Sequence, residues 1–215
     1  METDRERAPA SGPLLSLAIR ERAAPGMRVG LLGGSFNPAH EGHRHVSLVA
    51  GRRLGLHAVW WLVSPQNPLK SSGDTADFQR RFAAAKALAR HPRIVVSDLE
   101  ARLGTRYTAD TLRALKSRFP GVHFVWLMGA DNLVQLPRWK HWQDIMSLVP
   151  VAVIDRPGYA LSARLGKAAE TFRQARVPET AARAFPHARP PAWIYLHAKL
   201  NPLSATAIRR KGGWP

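Results

Sequence analysis

From residue 28 onward, short apolar runs alternate with stretches of helical periodicity. Residues 28–32 (RVGLL), 58–63 (AVWWLV), 93–97 (RIVVS), 122–128 (VHFVWLM), 151–155 (VAVID) and 193–197 (WIYLH) read as six strands. Between the first two strands, residues 41–54 place Val46, Leu48, Val49 and Leu54 on one side of a helix. Residues 77–89 form a second helical stretch, rich in Ala and Arg and closed by His91-Pro92. Residues 108–118 form a third, ended by Pro120-Gly121, and 142–148, 163–176 and 204–211 complete the set. Strands that are apolar throughout, each followed by a helix, belong in a parallel sheet covered on both faces. Right-handed crossovers then give a doubly wound, mainly parallel Rossmann-like α/β fold. Ligands of such sheets bind beyond the C-terminal ends of the strands, where the strand order reverses. The loops after the first, second and fourth strands are therefore where chemistry is expected.

Residues 1–26 do not join this pattern. Pro9, Gly12, Pro13, Pro25 and Gly26 punctuate them, and only 14–22 could form a short helix. They read as a disordered leader ahead of a single domain spanning 27–215, with Met27 as an alternative start. On this reading, removing residues 1–26 leaves folding and activity intact. The leader has no apolar segment long enough for a secretory signal. The apolar runs elsewhere are strand-length, well short of the roughly 18 residues of a membrane span.

Composition narrows the function classes. The chain has 215 residues and no cysteine, which excludes a disulfide framework, a thiolate zinc site and a cysteine nucleophile. A cytoplasmic location is expected. Lys and Arg number 32 against 15 acids, a net charge of +17. Residues 156–215 hold eleven of the basic residues and only Glu170 and Glu179 as acids. Such a surplus suits an anionic partner. A nucleic-acid-binding protein is one reading of it. Against that reading, the basic residues are scattered and match no nucleic-acid-binding motif.

The densest chemistry is the segment Gly33-Gly34-Ser35-Phe36-Asn37-Pro38-Ala39-His40-Glu41-Gly42-His43. It follows the first strand and opens a helix. The glycines let the backbone turn sharply and approach a ligand. His40 and His43 are three apart and share one side of a helical turn. The N–H groups and dipole of a helix start favour an anion, and two imidazoles there can donate to phosphate oxygens. A metal site would need carboxylates beside them, and Glu41 falls on another face.

This segment resembles the GGSFDPxHxGH signature of the nucleotidyltransferases that share the HxGH motif with class I aminoacyl-tRNA synthetases. Asn37 departs from the commoner Asp, keeping a turn-forming side chain without the charge. Further segments follow in order: Pro65 to Lys70, Tyr107-Thr108-Ala109-Asp110-Thr111-Leu112, Gly129-Ala130-Asp131, Trp139-Lys140-His141-Trp142, Arg156-Pro157-Gly158-Tyr159, and Ser204-Ala205-Thr206-Ala207-Ile208-Arg209. Together they are similar to the bacterial nicotinate-nucleotide adenylyltransferase family, over nearly the whole chain after the leader.

The resemblance implies transfer of AMP from ATP to nicotinic acid mononucleotide, giving deamido-NAD and pyrophosphate. Adenylyltransferases for nicotinamide mononucleotide or phosphopantetheine are the nearest alternatives. It implies His40 and His43 as catalytic groups. Gly33, Gly34, Ser35, Phe36, Asp131, Ser204, Thr206 and Arg209 would join them in binding ATP. It places Lys70, Thr108, Trp139, Lys140 and Arg156 around the mononucleotide, with the Trp139 face against the cationic pyridine ring. Mg²⁺ is expected to travel with ATP, bridging phosphate oxygens, with no dedicated protein metal site. Neither nucleic acid nor a membrane is expected as a partner, and a homo-oligomer stays open. The chain ends at Pro215, and the resemblance implies a longer last helix and tail in many relatives.

Overall fold

The computed structural model describes residues 21–65, 76–198, 205–210, 212 and 214. Its strands are β1 (Arg28–Gly34), β2 (Ala58–Val63), β3 (Ile94–Ser97), β4 (His123–Gly129), β5 (Val151–Ile154), β6 (Arg176–Val177) and β7 (Trp193–Leu196). They form one sheet in the order β3-β2-β1-β4-β5-β7-β6, and every pairing is parallel. The order reverses between β1 and β4, which places the expected cleft at their C-terminal ends. The helices are α1 (Glu41–Leu54), α2 (Phe78–Leu88), α3 (Leu99–Arg102), α4 (Thr108–Arg118), α5 (Ala130–Gln135), α6 (Trp142–Leu148), α7 (Ala160–Leu165), α8 (Lys167–Thr171) and α9 (Ala205–Arg210).

The core lies on both faces of the sheet. Trp60 and Trp61 are neighbours on β2 and are both fully buried. Trp60 packs in one hydrophobic cluster with Leu112, Trp126 and Trp193. Trp61 packs in the other with Phe36, Val46 and Phe82. Alternation along a strand sends adjacent side chains to opposite faces. A strand that is apolar at every position is therefore one with helices on both sides, and all six residues of β2 are buried.

Two expectations need correction. Residues 163–176 do not form one helix. Gly166 adopts an extended conformation (φ −76°, ψ 162°) and splits the segment into α7 and α8. A Cβ there would lie 2.7 Å from the Ser162 carbonyl oxygen. The sheet also gains β6, a two-residue edge strand too short to show periodicity.

Residues 21–26, read from sequence as part of the leader, pack on the domain. The Glu21 carboxylate is buried, accepting from Ser97 Oγ at 2.5 Å and from Arg102 Nη2 at 2.6 Å. Gly26 N–H donates to the Gly121 carbonyl at 2.8 Å. Residues 1–20 lie outside the described residues.

Candidate active site

The cleft is a cavity of about 580 Å³ over the β1/β4 reversal. Its first wall is the turn after β1. At Gly33 a Cβ would meet the Trp126 ring at 2.4 Å, so the residue there cannot carry a side chain. Phe36 takes a left-handed conformation (φ 47°) and buries its ring 5.1 Å from Trp61 and 4.6 Å from His43. The turn is thus held by its own aromatic ring rather than by glycine freedom alone.

His40 is the N-cap of α1. Its Nδ1 accepts from Gly42 N–H at 3.1 Å, while His43 Nδ1 accepts from His40 N–H at 3.2 Å. The two imidazoles are 4.0 Å apart and both line the cavity. Because each Nδ1 accepts, the proton of each neutral ring is on Nε2. Burial and then the Arg156 charge lower the His40 pKa from 6.5 to about 4. Burial, and then the neighbouring His40, hold His43 well below its ordinary value. The pair therefore presents two neutral N–H donors at a helix start, an arrangement suited to phosphate oxygens.

The opposite wall follows β4. Asp131 is in the first turn of α5, with Oδ1 buried and no hydrogen-bond partner for it among the described residues. The Arg156 Nε is 3.6 Å from that oxygen. Gly129 makes this approach feasible, because a Cβ on it would lie 2.4 Å from Asp131 Oδ1 and 2.7 Å from Arg156 Cδ. Asp131 and Arg156, assigned from sequence to different substrates, face each other as a loose ion pair.

The third wall holds Trp139, edge-on to Trp126 at 6.4 Å. Beside it, Lys140 Nζ sits 4.4 Å over the Tyr107 ring. Thr108 opens α4, whose N-cap Tyr107 makes no side-chain capping bond, so that helix start keeps free N–H groups near the cavity.

Gly33, Gly34, Ser35, Phe36, His40, His43, Thr108, Asp131, Trp139, Lys140, Arg156 and Thr206 all line this one cavity. Lys70 and Ser204 lie outside the described residues. Arg209 does not line the cavity. Its guanidinium donates to the Asn37 carbonyl and is 3.5 Å from Thr206 Oγ1. Trp214 Nε1 donates to Asn37 Oδ1 at 2.7 Å, and the same oxygen accepts from Ala76 N–H at 3.3 Å. Arg80 stacks over the Trp214 ring at 4.7 Å. Trp214 thus docks, like Arg209, on the turn that carries the histidines.

Sequence reasoning missed Arg81 and Glu100. Arg81 is 1% exposed and donates to the carbonyls of Ser35, Ser64, Pro65 and Ala76 at 2.7–2.8 Å. It knits the turns after β1 and β2 together. The available signal was its position: Arg81 shares the buried face of α2 with Phe82 and Ala85, where a solvated arginine has no place.

Residues 31–211 match the cytidylyltransferase-like family. A probable nicotinate-nucleotide adenylyltransferase of Parvibaculum lavamentivorans is 59% identical over 198 residues, covering 92% of this chain and 98% of that one. The chain belongs to the nicotinate-nucleotide adenylyltransferases of the cytidylyltransferase-like family. A second relative of the same name, from Cereibacter sphaeroides, is 56% identical and covers 87% of this chain and 100% of its own. Among solved structures, a Plasmodium falciparum nicotinic acid mononucleotide adenylyltransferase complexed with NaAD shares the fold at a TM-score of 0.64. It is 17% identical and covers 86% of this chain and 83% of that one.

Proposed function

We propose that this adenylyltransferase moves the AMP unit of ATP onto the phosphate of nicotinic acid mononucleotide, forming deamido-NAD and pyrophosphate. An oxygen of the mononucleotide phosphate attacks the α-phosphorus in line. The bond from that phosphorus to the bridging oxygen breaks, and pyrophosphate leaves with the electron pair. The attacking phosphate is already ionised, so no covalent enzyme intermediate and no general base are required. Catalysis is then positioning and charge stabilisation. The observation that carries this reading is the pair of neutral N–H donors on His40 and His43, facing Asp131, Trp139 and Arg156 across one cavity.

In this reading His40 and His43 hold the phosphates and meet the charge growing on pyrophosphate. Asp131 receives ribose hydroxyls through its buried Oδ1, which has no hydrogen-bond partner among the described residues. Trp139 stacks on the pyridinium, an interaction worth ~0.5–2 kcal/mol. The ring's carboxylate meets the free N–H groups at Thr108 and the Lys140 side. Thr206 and Arg209 serve the β/γ end of ATP, with Arg209 leaving the Asn37 carbonyl to do so. Mg²⁺ fits as the companion of ATP. Among the described residues no group of three His, Cys, Asp or Glu side chains is placed to hold a metal. The phosphates would supply most of its ligands, and the ion would neutralise their charge.

Pyrophosphate release from ATP, measured with nicotinic acid mononucleotide, nicotinamide mononucleotide and phosphopantetheine in turn, tests the assignment. The acid form is expected to support the fastest release. Preference for either other acceptor would overturn it.

A further inference from the structure

Glu100 has no part in the reaction as written, yet it lines the cavity and is 8% exposed. Its hydrogen-bond partners are the Ser64 and Thr111 hydroxyls. Burial pushes its pKa up from 4.5 to about 7, with those hydroxyl bonds opposing. A buried carboxyl is costly, so its retention calls for a mechanical account.

The contacts supply one. Thr111 Oγ1 is 3.4 Å from Glu100 Oε1, 3.3 Å from the Tyr107 carbonyl and 2.9 Å from Thr105 Oγ1. The Thr105 N–H donates to the Glu100 carbonyl at 3.1 Å. Ser64, the partner on the other side, donates its N–H to the Gly34 carbonyl at 3.0 Å. Glu100 therefore stands between the turn region after β1 and β2 and the segment 105–111. That segment brings Arg106, Tyr107 and Thr108 to the cavity. The Tyr107 side chain makes no capping bond at the start of α4, and the Tyr107 carbonyl is held through the same Thr111 that meets Glu100.

We infer that Glu100 is a positioning residue for recognition of the acceptor's ring. Its carboxyl braces segment 105–111 against the end of β2, and so sets where the Tyr107–Thr108 edge meets the ring substituent. The inference rests on the proposed role of Thr108. A shift of about 1 Å in such an edge is enough to cost roughly tenfold or more.

The test compares Glu100→Ala, Glu100→Gln and Thr111→Val, each assayed well below its own melting temperature. Thr111→Val keeps the side-chain shape and removes only the hydroxyl. Glu100→Ala and Thr111→Val are expected to raise KM for nicotinic acid mononucleotide by about tenfold. KM for ATP should stay within about twofold, and the preference for acid over amide should shrink in parallel. Glu100→Gln, which keeps the size and most hydrogen bonds, should recover most of the loss. An unchanged KM for the mononucleotide in both loss variants would overturn the inference. So would equal increases in both KM values, the mark of a merely structural role. A wild-type protein inert toward nicotinic acid mononucleotide would instead sink the functional reading, before any variant is made.

Discussion

Two helix starts face the same cavity and are built in opposite ways. α1 begins at His40 with a cap closed by its own side chains, His40 and His43 each accepting a backbone N–H within the first turn. α4 begins at Tyr107 with no side-chain cap from that residue and is held instead through Thr111, Thr105 and Glu100 in and just before the helix, and through Ser64 after β2. The first start is rigid by local chemistry. It can offer its Nε2–H groups to phosphate because its Nδ1 atoms are already occupied. The second has no side-chain cap on its first N–H groups, and a buried carboxyl stands behind it. On the proposed function, the start that meets phosphates can be self-contained, and the one that meets the acceptor's ring depends on placement.

The comparison breaks first at His43. His43→Ala should lower kcat on the order of 10²–10³-fold, the scale of losing one positioned donor to a developing charge. Its melting temperature should drop only by what a lost capping contact costs. A near-normal rate would remove the pair from catalysis. Next is Arg81, which ties the two turns under the α1 start. Arg81→Ala leaves four carbonyls without their donor, and a loss of about 3 kcal/mol or more is expected in denaturant titrations. A loss below about 1 kcal/mol would show that those carbonyls find water.

The two starts should also titrate in opposite senses. Glu100 has a folded-state pKa raised from 4.5 to about 7. Between those values the folded protein keeps a proton that the unfolded chain gives up, so its stabilising share is lost as pH rises towards and through 7. The size is on the order of 3 kcal/mol. His40 is lowered from 6.5 to about 4, so its share is complete above 6.5 and is lost as pH falls towards and through 4. Urea midpoints across pH 5–8 should therefore fall less steeply on the alkaline side in Glu100→Gln than in wild type. Parallel curves would show that Glu100 is ionised throughout. The smallest effect is expected at Trp214. Trp214→Ala removes the donor to Asn37 Oδ1 and the surface under Arg80, and should raise KM for ATP only a few-fold, in line with one hydrogen bond of roughly 1 kcal/mol. No change would detach the tail from the site.

What could be read without the structure follows the same division. The His40 to His43 turn was legible because its spacing, glycines and helix start lie within a dozen consecutive residues. Trp139, Lys140 and Thr108 were legible as parts of motifs but not as neighbours. Arg81 resembled one more arginine of a basic chain; its place on the apolar face of α2 beside Phe82 and Ala85 was a local mark, but the four carbonyls it meets were not legible. Glu21 went unseen for a similar reason: its partners, Ser97 and Arg102, are more than 70 residues away.

By itself the sequence determined the alternation of strands and helices, the parallel sheet that continuous apolar strands require, and the glycine-histidine turn that opens α1. These rest on interactions between residues close along the chain. Tertiary structure alone decided the strand order, the meeting of Asp131 with Arg156, the docking of Trp214 on Asn37, and the strut from Glu100 to Ser64. Each joins groups whose approach depends on how helices pack on the sheet, and no periodicity in the chain encodes that distance.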